Sequence, residues 1–429
     1  MSAPGSLLVR GATLLHLEPP GVERADLLVR GGRIVEISPH IGSMEDAPEL
    51  DATGRWLMPG LVCGHTHLYS ALSCGMPTLD QAPTDFADML AKVWWRLDRA
   101  HDHESVSVSG LVGGLAALRA GVTTLVDHHA SPSFIEGSLE TLDESLEQVG
   151  VRRILCYEVT DRGGPEEALA GLRAHEALLA APTERRAVLI GAHANFTLSD
   201  ATLRRCGDLA RDAGVGLHMH VAESADDARL TGEDPVARLD RLGALLPGSV
   251  LAHCVHLEPD ALWRLYDAEA WVSHQPRSNM NNAVGHAPVE LFEPETMLGT
   301  DGIGADLFAE LQAGFFRGNE AQSGWGPGRW LSALTSGARF AGARLGVPLG
   351  RLEVGSAADF VVLDPQPGPP LTRVNLAAAF LFRLGAGAVR DVVVDGRIVL
   401  HDRQPVRIDA SALDRQASTT AIRLWNRMS

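Results

Sequence analysis

The sequence predicts an α/β protein, a (β/α)8 TIM barrel carrying a small β-sandwich domain assembled from both chain termini. Three observations predict it. Eight apolar, strand-like runs alternate with helical patterns through the middle of the 429-residue chain. Short strand-and-turn patterns recur at its two ends. Several central runs finish in histidine or aspartate, and barrels of this class collect their chemistry at the C-terminal ends of their strands.

From the N-terminus, residues 1–57 read as strands and turns. Stretches 7–15, 26–30 and 33–37 alternate or run apolar, and Gly31-Gly32 suits a two-residue hairpin turn. A matching pattern returns within 348–405, where 358–363 and 391–400 carry apolar runs around an Asp395-Gly396 turn. Neither segment alone buries much apolar area, so the two are expected to pair into one composite domain. Between them, 58–347 carries strand candidates at 61–67, 123–129, 152–159, 187–195, 216–222, 249–256, 270–276 and 296–302. Helical patterns at 106–120, 166–180, 201–213 and 306–319 fall between them, the alternation of a parallel barrel. Residues 406–429 are expected to close the chain as a helical segment.

Composition narrows the function. A formal net charge of −17 argues against nucleic acid or an anionic membrane as partner, since both need a basic face. No apolar run reaches the roughly 18 residues of a membrane span, and residues 1–6 lack the basic-then-apolar pattern of a signal peptide. Five scattered cysteines without a C-x-x-C pair point to reduced thiols and a cytoplasmic location. The expected partner is a small heterocyclic molecule, bound by a homo-oligomer, a dimer.

The chemistry lies at the ends of the strand runs. His65-Thr66-His67 closes the first, and because side chains in a strand repeat every two residues, both imidazoles share one side. His218-Met-His220 closes the fifth; His220 is preferred as the metal ligand because it lies nearer the strand's C-terminal end, while His218 reads as a hydrogen-bonded core histidine. Glu223, three residues on, is placed to reach over a substrate. In 249–256 the choice falls on His253, with His256 expected to cap the next helix. Asp301 closes the eighth run, and a carboxylate there is costly to bury without a cation partner. His101-Asp-His103 reads as the polar first turn of a helix. Three imidazoles and a carboxylate converging at strand ends suit a catalytic divalent ion with an open coordination position.

These residues resemble the amidohydrolase superfamily, specifically its mononuclear deaminase branch. The resemblance runs through Pro59-Gly-Leu-Val-x-x-His-x-His67, Gly121-Val-Thr-Thr124, His220-x-x-Glu223, Ala252-His-Cys254, Ser278-Asn-Met280 and Thr300-Asp301. Within the branch the chain is similar to the SsnA-like aminohydrolases of the chlorohydrolase and adenosine-type deaminase group. Leu68-Tyr-Ser-Ala-Leu-Ser73, Asp127-His-His-Ala-Ser-Pro132 and Ser278-Asn-Met-Asn-Asn-Ala-Val-Gly285 carry that likeness. It departs in having Thr66 and Gln275 where asparagine is expected. Binuclear members bridge two metals through a modified lysine, typically on strand four. The sequence holds one lysine, Lys92, between strands one and two.

The resemblance therefore implies one divalent ion, zinc with iron(II) as the alternative, held by His65, His67, His220 and Asp301. It implies a hydrolytic deaminase that releases ammonia from a purine-, pterin- or pyrimidine-like amino-heterocycle by attack of metal-bound hydroxide. Glu223, His253 and Asp301 are the implied catalytic groups: Glu223 as general acid, Asp301 and His253 taking and holding the proton of the water. His193 matches the substrate-contacting histidine of adenosine-type deaminases. His128, or His129 beside it, with Tyr69 and Trp95, is expected to line the pocket. The alternatives are hydrolytic dechlorination of a triazine-like ring and a catalytically silent accessory barrel. No His-Glu-x-x-His, phosphate loop or Gly-x-Ser-x-Gly elbow competes with this reading.

Overall fold

The computed structural model describes residues 5–77 and 82–428. Residues 1–4, which enter the signal-peptide reading, lie outside them. Eight parallel strand positions follow one another around a ring: Leu61–Thr66, Val122–His129, Arg152–Tyr157, Arg186–Val188 with Ile190–Ala194, Leu217–Val221, Val250–His253, Trp271–His274 and Thr296–Leu298. The ladders run as two sheets of four and five strands. Parallel bridges at Val159–Ala192 and Thr66–Asp301 join their edges, so the ring closes. Each of the eight sequence runs becomes a strand, but several strands are shorter at the C-terminal end than the apolar pattern suggests. The surplus residues, Asp301 among them, form the turns that carry the chemistry.

Val62, Val126, Ile154, Val250 and Met297 fill the interior of the ring, and Phe340 of the helix Pro327–Leu345 packs against the same cluster. The fourth strand breaks at Leu189. Gly191 just beyond it lies so close to strand three that a Cβ there would sit 2.0 Å from the Tyr157 carbonyl oxygen. His175 stitches this place: its Nε2 accepts from the backbone N–H of Tyr157 (3.0 Å) and of Gly191 (3.1 Å), and its Nδ1–H donates to the Leu172 carbonyl (3.2 Å).

The terminal strands form one nine-stranded mixed sheet, not two separate ladders as a sandwich would give. The eleven-residue strand Leu7–Leu17 is the cause. It pairs with Pro20–Arg30, Glu49–Asp51 and Trp56–Pro59, and bends at a bulge between Val9 and Ala12, where Gly11 takes φ 63°. Trp56–Pro59 in turn pairs antiparallel with Phe360–Leu363, which stitches the N-terminal half to the C-terminal half. The short strands 49–51, 56–59 and 404–405 were not legible as alternating patterns. The chain closes with the helix Ala410–Arg427, whose Trp425 indole donates to the Leu72 carbonyl (2.9 Å). Among the described residues no helix is long and apolar enough to cross a membrane.

Arg152 joins barrel to terminal sheet. Its guanidinium donates to both Asp359 oxygens (2.7 and 2.9 Å), to Asp395 (3.3 Å) and to the Glu184 carbonyl (2.6 Å), fully buried. Removing one partner of such a buried pair leaves an uncompensated charge, so Arg152→Ala is expected to cost about 3–5 kcal/mol in urea unfolding. A loss under about 1 kcal/mol contradicts this role. His175 sets a pH dependence. Burial pushes its pKa down to about 4, against about 6.5 in an unfolded chain. The neutral ring's contribution is therefore complete above about pH 6.5 and is lost as pH falls toward 4. The thermal midpoint should drop across that window, and less steeply in His175→Gln.

Candidate metal centre and active site

The strand ends bring together His65, His67, His220, His253 and Asp301. His67 Nδ1 donates to the His128 carbonyl (2.7 Å), and His220 Nδ1 donates to the His193 carbonyl (2.9 Å). A carbonyl can only accept, so in the neutral rings both Nε2 atoms carry lone pairs. Those two lone pairs face each other at 3.0 Å. His65 joins them: its Nδ1 pairs with His218 Nε2 (2.8 Å), and its buried Nε2 has no hydrogen-bond partner. Asp301 Oδ1 stands 3.1 Å from His67 Nε2 and 3.6 Å from His65 Nε2.

Three ring nitrogens and a carboxylate oxygen thus converge in one buried space. Only a cation satisfies all four at once, so the residues present fit a divalent ion. The electrostatics agree. Burial opposes charge on His67, yet the hydrogen bond and charge of Asp301 outweigh it and raise its pKa to about 9. Burial drives His65 down to about 3. The cluster seeks positive charge at one point. His218, the alternative to His220, is fully buried beneath His65 and orients it.

The remaining groups surround this point. His253 Nδ1 donates to Asn279 Oδ1 (2.9 Å), which leaves its buried Nε2 without a partner, 3.5 Å from Glu223 Oε2 and 4.0 Å from Asp301 Oδ2. By distance alone His253 is as close to His65 and His220 as a ligand would be. Asn279 thus fixes the orientation of the His253 ring. Ser278 Oγ donates to Asp301 Oδ2, and Asn282 Nδ2 to Glu223 Oε1 (3.3 Å). Burial first, and then the charge of Asp301, pushes Glu223 up to about 7. His253 and Asp301 both hold positive φ, 73° and 53°, strained values for non-glycine residues. The departures at Thr66 and Gln275 keep structural roles: Thr66 Oγ1 donates to the Asp301 carbonyl (3.1 Å), and Gln275 Oε1 accepts from the His253 backbone (3.0 Å).

A cavity of about 670 Å³, counting its open mouth, lies over the cluster and is lined by His67, Tyr69, Trp95, His193, His220, Glu223 and Asp301. The helical stretch 86–100 covers it with Phe86, Leu90, Trp94 and Trp95 and includes a π-helical turn, Leu90–Trp94, a distortion frequent at functional sites. Lys92 lies on that turn and pairs with Asp88 (2.7 Å), away from the ligands. His128 does not line the cavity. It is fully buried, donates from Nε2 to the His218 carbonyl (3.0 Å), and turns Nδ1 toward Glu158 (3.3 Å). The strand's alternation sends His129 the other way, to Ser131 (2.9 Å). His256 caps no helix; it pairs with the Val284 carbonyl (2.6 Å) while Glu258 takes the N-cap position. The cavity also exposes Asp98, Glu158 and Asn282, which sequence reasoning missed. Glu158 follows the third strand and gave the same strand-end signal as Asp301; the other two lie in connections without one.

A closed parallel barrel with nitrogen and carboxylate donors gathered at its strand ends defines a metal-dependent hydrolase scaffold. The chain belongs to the amidohydrolase family, which it matches over residues 56–399. It is 28% identical over 425 residues to a 5-methylthioadenosine/S-adenosylhomocysteine deaminase of Symbiobacterium thermophilum, covering 92% of this chain and 94% of that one. In fold it is similar to a zinc-bound adenosine deaminase of Xanthomonas campestris, with TM-score 0.85, 24% identity and coverage of 98% and 99%. It is also similar to the zinc complex of an atrazine chlorohydrolase of Arthrobacter aurescens, with TM-score 0.81, 20% identity and coverage of 97% and 100%. Family and donor set together support a divalent metal. His67→Ala should abolish stoichiometric zinc in elemental analysis of the refolded protein while the barrel's circular dichroism persists. Full zinc occupancy in that variant would contradict the assignment.

Proposed function

We propose that the protein is a hydrolytic deaminase that uses one divalent ion, zinc, to release ammonia from an amino-substituted purine-, pterin- or pyrimidine-like ring. The observation that carries this reading is Glu223, a buried carboxyl that holds a proton near neutral pH, set beside the lone pair of His253 and the donor cluster. His65, His67, His220 and Asp301 would hold the ion, with His253 close behind. When bound, such an ion lowers the pKa of a coordinated water toward 7.

The side chains then divide the proton work. Asp301 and His253 accept the proton of the attacking water and fix its oxygen toward the amine-bearing carbon. Glu223 donates to the adjacent ring nitrogen, so the C=N bond becomes a C–N single bond as the C–O bond forms. The amine takes the proton held by Asp301 and His253 and leaves as ammonia as its C–N bond breaks, while the added hydroxyl gives its proton back to Glu223 and the ring carbonyl results. His193, Tyr69 and Trp95 contact the ring; His128 acts from behind, through Glu158. The curated relatives are named deaminases, which favours deamination over dechlorination. None of the expected ligands is missing, which weighs against a silent accessory role.

The same reading extends to the whole chain. We take 58–347 as the catalytic barrel, 1–57 with 348–405 as a composite β-sandwich-like module, and 406–429 as a closing helical segment. Four of the five unpaired thiols are buried, the pattern of a reducing, cytoplasmic protein. The exposed Phe316 and Phe382, in ring contact with Phe315, support a homodimer face. On zinc-loaded protein, a screen of amino-heterocycles for ammonia release should give a substrate, and Glu223→Gln should lower kcat on it by about 10²-fold or more with zinc content unchanged. Wild-type turnover in that variant, or chloride release from triazines without ammonia from any amine, would sink the proposal.

A further inference from the structure

The cavity is walled by carboxylates that the proposed proton transfers do not use. Glu158, just beyond the strand Arg152–Tyr157, is 5% exposed, yet its polar contacts are all long. Oε1 lies 3.4 Å from Arg162 Nη2 and 3.8 Å from His193 Nε2, and Oε2 lies 3.3 Å from His128 Nδ1, an atom with no hydrogen bond of its own. A carboxylate offers about four lone-pair positions, so a buried one with only long contacts is under-satisfied. Asp98, 1% exposed, takes the short bond from Arg162 (2.6 Å) through Oδ2 while its Oδ1 has no partner. Both residues line the cavity.

Position and charge add to this. Oxygens of Glu158 lie within 4.8 Å of the ligand nitrogens of His67 and His220, and those of Glu223 within 4.8 Å of His253 and Asp301. Two carboxylates on different strands therefore adjoin the ligand cluster through different members of it. Asp98, Glu158, Glu223, Asp227 and Asp301 all line the cavity, and among the described residues no lysine or arginine does. Arg162 is shared between Asp98 and Glu158. With Asp301 on a divalent ion and Glu223 protonated, Glu158, Asp98 and Asp227 are the acidic groups left on the wall, and the cation paired with two of them, Arg162, stands outside the lining. An anionic group brought against such a wall is repelled.

We propose that Glu158, supported by Asp98, is a specificity-determining acceptor that takes an N–H or O–H donor of the substrate, so the cavity admits neutral or cationic heterocycles and rejects those bearing phosphate or carboxylate. The heterocycle rests on the deaminase reading; the charge selection does not. The donor is a ring N–H in a free base or a hydroxyl in a nucleoside, and matched probes separate the two.

Binding to the zinc-loaded wild type is measured by calorimetry, and ammonia release by a coupled assay. The probes are adenine, 9-methyladenine, adenosine, 2′,3′-dideoxyadenosine and adenosine 5′-monophosphate, extended by the same donor-blocked and phosphorylated or carboxylated derivatives of any hit from the amino-heterocycle screen. Blocking the donor should weaken binding and raise KM at least tenfold in the wild type, as expected for a bond to a charged acceptor, and less than threefold in Glu158→Gln. The phosphorylated compound should be at least tenfold poorer than its neutral parent. Equal losses in the two proteins, or phosphorylated or carboxylated compounds that bind as well as their parents, would overturn the proposal. Should Glu158→Gln fail to fold by thermal unfolding, the neutral-against-anionic comparison on the wild type still decides it. Neutral compounds that bind selectively but release no ammonia would overturn the deaminase reading and leave the charge selection standing.

Discussion

Everything in the site depends on lone pairs forced to face one another. Backbone carbonyls of His128 and His193 fix the rings of His67 and His220 from behind, so their front nitrogens meet at 3.0 Å, with Asp301 3.1 Å from the first. In water such an arrangement would fly apart. Here the rings are anchored to strands whose own hydrogen bonds are already satisfied, and the repulsion becomes affinity for a cation. The positive φ values of Ala222, His253, Cys254 and Asp301 belong to the same constraint. Each costs on the order of 1–3 kcal/mol and persists because the closed ring leaves the chain no alternative path at these turns.

The scaffold around the ring is tied to it by a few polar contacts. Arg152 spans from the third barrel strand to Asp359 and Asp395 of the terminal sheet, so that sheet is bonded to the barrel. Trp425 of the closing helix bonds the Leu72 carbonyl, in the 3-10 turn Leu68–Leu72 that follows His67 and carries Tyr69. Asp127 accepts from the Leu68 backbone at the start of that turn (2.7 Å). Distant segments of the chain therefore hold the loop that carries one metal-seeking nitrogen and one wall of the cavity.

The carboxylates show how environment assigns role. Glu223 has one long bond from Asn282 and a dry surrounding, which favours the proton. Glu158 is held well below the usual carboxylate range: burial opposes its charge, but His193, His128 and Arg162 together prevail. Asp98 shares the same arginine, and burial still pushes it up to about 7. Identical functional groups a few ångströms from the donor cluster are thus driven to different protonation states by their surroundings.

The sequence by itself determined the eight-strand alternation and the residues at the strand ends, and it singled out His65, His67, His220 and Asp301, which the structure brings together, because strand periodicity and strand-end position are local properties of the chain. It also marked Glu223 and His193 by their offsets from those ends. Tertiary structure alone decided that the terminal strands form one bent sheet, since pairing between residues some 300 positions apart leaves no local pattern. It alone turned His128 away from the cavity and brought Asp98 against Glu158 and Arg162, which lie together in a segment some 60 positions on. Their meeting is long-range, and a charged residue in a loop looks the same in sequence whether it faces water or a buried partner.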